Sequence, residues 1–202
     1  VPELMSRVRY FMDILTSNQL GDLVQRPDVL GGGRKMVITP TPDGFKEYQK
    51  DLERRIKAIS ERKAPPKSGD DIILKVITDG RFAPIDMRFV DSTLPSDPNS
   101  KLNRMLDDLI SAYHETANNE YMTSGVVDEN KGSSLMLFTD IGLGEQSAKN
   151  RGFDMKAWIE KRLVEGGVKR EHIAFMRDNK AHSKKEKLFD DMRQGRKRIL
   201  IG

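Results

Sequence analysis

Gly31-Gly32-Gly33-Arg34-Lys35 and Gly142-Leu143-Gly144 are the two stretches whose backbone could cradle a phosphate. The first lacks the Gly-Lys-Ser/Thr ending whose hydroxyl would hold magnesium, and it precedes an apolar stretch rather than following one. It reads as a plain turn. The second follows an apolar strand, but position 147 is Ser where a dinucleotide fingerprint has its third glycine, and no helix start is marked there. Val126-Val127-Asp128-Glu129 imitates the acidic end of a magnesium-binding strand with only two apolar residues before the acids, and reads as a surface loop. Asp190 and Asp191 are adjacent on a helical stretch and point in different directions. The chain has no cysteine, which excludes disulfides, thiolate nucleophiles and zinc–thiolate sites. Its histidines, His114, His172 and His182, are scattered. By residue chemistry alone the chain shows no active site.

Composition narrows the partners. Charged residues make up 33% of the 202, which is high, and no apolar run approaches the roughly 18 residues of a membrane span. No signal peptide is visible, so a cytoplasmic protein is expected. The net charge of +4 hides an asymmetry. Residues 1–148 hold 19 Lys/Arg against 23 Asp/Glu, a balance of −4, and residues 149–202 hold 16 against 8, a balance of +8. A basic end suits a phosphate backbone, and it equally suits a set of solvated helix faces. Val1-Pro2 and the closing Ile201-Gly202 read as the ends of a piece of something larger.

The elements follow from periodicity. Leu4, Val8, Phe11, Met12, Leu15 and Leu20 fit a helix, and Met36-Val37-Ile38-Thr39 a short strand. Asp43 can cap a long helix with Phe45, Tyr48, Leu52, Ile56 and Ile59 on one stripe, its outer face supported by Asp51/Arg55 and Glu53/Lys57. Residues 72–90, interrupted by Gly80 and Pro84, suggest two short helices. Leu94-Pro95-Ser96-Asp97-Pro98-Asn99 is a linker, and Leu102 to Tyr113 traces the next helix. Beyond it, apolar runs at 134–138, 173–176 and 198–201 alternate with helices: one from about Asp154 to Gly166-Gly167, and one opened by a capping box, Ser183 to Glu186. Short apolar strands separated by helices predict a parallel sheet flanked by helices, an α/β fold, after a mostly helical first half.

The order of these pieces resembles a known family. Val37-Ile38-Thr39-Pro40-Thr41-Pro42 with Phe45, Tyr48-Gln49 and Leu52 looks like the opening of the inter-lobe region of Swi/Snf-type superfamily-two helicase/ATPases. Ser100-Lys101-Leu102-Asn103 is similar to the helix that begins their second lobe, and Leu135-Met136-Leu137-Phe138-Thr139-Asp140 to helicase motif four. Ala157 to Leu163 with Gly166-Gly167, Ile173 to Asp178, Ser183 to Met192, and Lys197 to Gly202 are similar to the elements leading into motif five. Ile77-Thr78-Asp79-Gly80-Arg81, Ile85-Asp86-Met87-Arg88 and Asn118-Asn119-Glu120-Tyr121 resemble a bacterial and phage subgroup in which such a helicase is joined to an adenine-N6 DNA methyltransferase. The sequence departs from the family at Asp140, where many relatives carry Gln, and at Arg177-Asp178-Asn179, which replaces an Asp-Gly pair.

The resemblance implies a helical inter-lobe segment over 1–95 and, over 100–202, a partial second RecA-like lobe cut short at its C-terminal end. It implies ATP and magnesium in the intact parent and none in this chain, which lacks the first lobe and the catalytic arginine of the second and is expected to be inactive alone. The implied partner is DNA, gripped through its backbone, with contacts at Lys101, Thr139, Asp140, Arg177 and Lys180. Two other readings stay open: a non-catalytic nucleic-acid- or protein-binding module, and a flavodoxin-like small-molecule enzyme using the loops after Phe138 and Met176, which a phosphate or nucleotide bound at Gly142–Gly144 would favour.

Overall fold

The computed structural model describes Glu3, Arg7, Tyr10, Met12, Gly33, residues 35–123, Val126, Val127 and residues 129–202. The chain divides into two compact units, Val1–Ile38 and Thr39–Gly202. In the first, Glu3 and Arg7 are helical positions joined by an ion pair one turn apart, at 3.1 Å. The rest of the expected first helix, and most of Gly31 to Lys35, lies outside the described residues. The strand expected at Met36–Thr39 does not form: residues 35–42 are neither helix nor strand, and Met36 and Ile38 are exposed.

The second unit opens with helix α1, Phe45–Ser60. Its N-cap is Gly44, at φ +75°, rather than Asp43, and no side chain caps it. Arg55 also departs from expectation. Instead of pairing with Asp51 on the outer face it turns to α2, Ile73–Phe82, where it bonds Asp71 just before the helix and Asp79 within it. Leu52 lies against Gly80, where an added β-carbon would come within 3.3 Å of it, so Gly80 is a contact point inside α2 rather than a break. A 3-10 turn at Met87–Phe89 follows. Helix α3, Lys101–Glu115, is capped by the Ser100 hydroxyl, which accepts from Asn103 N.

The sheet is built from β3, Leu135–Leu137, β4, Ile173–Phe175, and β5, Ile199–Ile201, all parallel in the order β3-β5-β4. They are the three expected strands. Two two-residue strands, β1 Met122–Thr123 and β2 Val126–Val127, pair antiparallel, so Val126-Val127 is a hairpin arm rather than a plain loop. Between β3 and β4 lie α4, Glu145–Arg151, and α5, Met155–Glu165, and between β4 and β5 lies α6, His182–Arg193.

Strand side chains alternate between the two faces of a sheet, and the core obeys that period. Leu137, Ile173, Phe175, Ile199 and Ile201 join Leu102 and Leu106 of α3 and Ile159 and Leu163 of α5. The intervening Ala174 and Leu200 join Leu188 and Met192 of α6. Helices therefore cover both faces. Phe82 and Phe89 sit in the first of these cores, so packing does not separate residues 76–95 from the sheet that follows.

Two helix ends show how local sequence sets direction. At the end of α5, Val168 N bonds Leu163 O and Gly167 N bonds Val164 O, with Gly167 at φ +83°. This is the glycine-terminated double bond expected of Gly166-Gly167. At α6 the expected capping box is absent. The helix begins at His182, two residues earlier than a Ser183 cap would place it, with Ala181 as N-cap and no side-chain cap, and Glu186 faces His182 at 3.3 Å.

A buried charge pair latches the linker to the sheet unit. Arg88 donates to both carboxylate oxygens of Asp86, each at 2.8 Å, and its guanidinium stacks over Phe153 and Trp158. The Ser100 hydroxyl also bonds Asp86. Trp158 donates to Asn103, whose amide donates to Ser96 and Asp97 in the linker. Asp86 and Arg88, two of the residues carrying the subgroup resemblance, thus hold the fold together.

Candidate nucleic-acid interface

Because β3, β4 and β5 run parallel, their carboxyl ends meet at one edge of the sheet, where ligands of open α/β sheets bind. Thr139 and Asp140 follow β3, Arg177 and Lys180 follow β4, and Gly202 follows β5. Thr139 N donates to Gly202 O at 2.7 Å and Gly202 N to Leu137 O at 2.9 Å, which pins the first of these loops to the central strand. The Thr139 hydroxyl donates to Ile141 O at 2.7 Å. Both donors of Thr139 are therefore spent on shaping the loop. Gly142 then turns at φ +99°, where a β-carbon would collide with Met155 Sδ at 2.8 Å.

Lys101, Thr139 and Asp140 line one cavity of about 520 Å³, together with Arg81, Met105 and Phe138. Lys101 is the first residue of α3, and no acid stands in that first turn. A cation there opposes the helix dipole, so its position does nothing for the helix. Arg81 and Lys101 are exposed, and neither has an ion-pair partner among the described residues.

Arg177 and Lys180 lie apart from this cavity, on the loop after β4. Arg177 faces the glycine loop: its Nη1 is 3.4 Å from where a β-carbon on Gly144 would stand. The neighbouring Asp178 is held by Lys156 at 2.6 and 2.8 Å, which leaves Arg177 uncompensated. Arg177 and Lys180 are exposed and also lack an ion-pair partner among the described residues. Of the five residues nominated from sequence, three share a cavity and two stand on the adjoining loop. Arg81 and Phe138 were missed. Arg81 lies twenty residues before Lys101 in the chain, and the stretch containing it was quoted only for the subgroup resemblance, not as a contact.

Contrary to the sequence reading, a helix does open right after Gly144. Its first residue is Glu145, so a carboxylate already occupies the positive end of the dipole that a phosphate would need.

A second cavity, of about 720 Å³, is lined by Tyr48, Arg55, Asp79, Phe82 and Arg151 among others. Here the cations are neutralised. Arg55 bonds Asp71 and Asp79, and Arg151 bonds Asp79 at 2.7 Å while stacking on Phe82. The Arg55 guanidinium, helped by Lys75, holds the Asp71 carboxyl at about 2, and the same bonds raise Arg55. Burial raises the Tyr48 phenol, and the Asp79 charge adds to it. Among the described residues no cluster of histidine and carboxylate groups could hold a metal ion, and no helix is long and apolar enough to cross a membrane.

No family model, curated protein or solved structure matches the chain. Its chemistry must be read from the edge itself. That edge offers cations, an aromatic ring and backbone turns.

Proposed function

We propose that Thr39–Gly202 grips a nucleic-acid backbone, as the second RecA-like lobe of a Swi/Snf-type ATP-dependent DNA translocase together with the helical segment before it. The observation that carries the reading is a set of cations without ion-pair partners among the described residues: Arg81 in the last turn of α2, Lys101 at the start of α3, and Arg177 and Lys180 on the loop after β4, at the carboxyl edge of a parallel sheet. Cations of this kind hold phosphates without reading sequence. Thr139 shapes the loop after β3 that lies beside Lys101, and Asp140 is the acidic residue of the cavity they share. The missing half of the ATP site, with its phosphate loop and magnesium carboxylate, would come from a first lobe elsewhere in the parent. The chain alone then turns over no ATP.

Titration of the 202-residue chain with fluorescent DNA of mixed sequence at several salt concentrations tests the reading. Each phosphate neutralised contributes about 0.7–0.9 to the salt slope. With all four cations engaged, the expected result is weak, sequence-insensitive binding with a log–log slope of roughly −3 to −3.5. Binding that ignores salt, or no binding at low salt, contradicts it.

A further inference from the structure

The cavity at Lys101 holds more than cations. Phe138 stands on its wall with 78% of its surface exposed, an unusual place for a phenyl ring at the end of a strand whose neighbour Leu137 is buried. Arg81 on α2 and Lys101 on α3 line the same space, and Asp140 is its acidic residue. Its size, about 520 Å³, falls in the range of small-molecule sites and exceeds what two phosphate contacts alone need.

Aromatic rings beside cations are the means by which proteins take hold of single strands, since every base has a face to stack and every nucleotide a phosphate. A base inside a duplex cannot reach such a ring without leaving its own stack. We infer that this cavity takes one unstacked nucleotide of a single strand, its base against Phe138 and its phosphate between Arg81 and Lys101. Asp140 repels phosphate, so it faces the base edge, where a carboxylate accepts a hydrogen bond from an exocyclic amino group. The site therefore prefers cytosine or adenine over thymine. This rests on the nucleic-acid reading above and adds strand type and base class to it.

The test uses the whole chain with labelled oligo-dC, oligo-dT and a blunt duplex of equal length. Phe138 is exposed, so Phe138→Ala leaves folding intact, and Phe138→Trp serves as the conservative rescue. Phe138→Ala is expected to weaken oligo-dC binding roughly five- to hundredfold. Duplex binding should stay unchanged, and Phe138→Trp should restore the single-strand affinity. Asp140→Ala should erase the preference of dC over dT. If Phe138→Ala leaves single-strand affinity untouched while Arg177→Ala lowers it, the cavity inference fails and the backbone-gripping reading stands. If the unaltered chain binds neither strand nor duplex, both fail. If Phe138→Ala instead dissociates a dimer in sedimentation, the ring belongs to an interface between copies and the inference is overturned.

Discussion

Arg88 and Arg198 are as cationic as Arg81 and Arg177, yet the two pairs live in different surroundings. Arg88 is enclosed with Asp86. Arg198, 3% exposed, donates to Tyr113 O, Thr116 Oγ1 and Ser133 O and stacks on Tyr113. There it satisfies the C-terminal end of α3, where a cation also suits the helix dipole. The cations of the carboxyl edge have no such partners among the described residues. Where a charge serves the fold, the chain supplies what it needs. Where it does not, the charge is left to solvent and stays free for a phosphate on the reading proposed above.

The largest expected effect lies on the buried side. Asp86→Ala strands the Arg88 guanidinium without its carboxylate, and removing one member of a buried pair costs about 3–5 kcal/mol. Urea denaturation would show it as a lower midpoint. A loss below about 1 kcal/mol would mean that the pair is not the latch described here.

Gly132→Ala follows. Gly132 sits at φ +97°, and a β-carbon there would lie 2.4 Å from Cζ of Arg198. Backbone strain alone costs about 1–3 kcal/mol, and displacing Arg198 adds to it. An unchanged denaturation midpoint would show that Arg198 has room to move and is not fixed by its three acceptors.

Acid should act on the structural charges next. The Asp71 carboxyl, held at about 2 by Arg55, carries a folded-state value below its unfolded one. Its contribution is complete above about pH 4 and is lost as pH falls toward 2. Burial, with Lys169 and Arg198 nearby, lowers His172, so the unfolded chain takes up that proton first. Its contribution is complete above its ordinary value of about 6.5 and declines as pH falls below it. Stability measured against pH should therefore fall in two stages. His172→Gln should remove the upper one, and a flat profile between pH 7 and 5 would contradict the assignment.

The three sheet strands and the longer helices from Phe45 onward were legible because apolar spacing specifies them, down to the glycine pair that ends α5, whereas the short α4, with no buried residue to mark a stripe, was not. The capping misses share a cause. Asp43 and Ser183 are good cap residues, but the observed N-caps, Gly44 and Ala181, lie one position after the first and two before the second, and burial of the apolar stripe outweighs the about 1 kcal/mol a cap supplies. Arg55 escaped its expected i,i+4 pair because two carboxylates across the helix interface outbid one exposed neighbour. At the edge, Thr139 and Lys101 were nominated from separate segments, and folding alone brought them to one cavity. Arg81 and Phe138 stood in stretches quoted for the family resemblance but were not named as contacts, since their shared cavity comes from where α2 ends beside β3.

The smallest expected stability effect tests the central contrast most directly. Arg177→Ala removes an exposed cation that has no ion-pair partner among the described residues, so the denaturation midpoint should move by no more than about 0.5 kcal/mol in equivalent stability. On the same protein, DNA affinity should fall alike for all sequences, and the salt slope should shrink by about 0.7–0.9. Lost stability with unchanged DNA affinity and slope would make Arg177 a structural residue after all and contradict the account of the edge as a grip on the backbone.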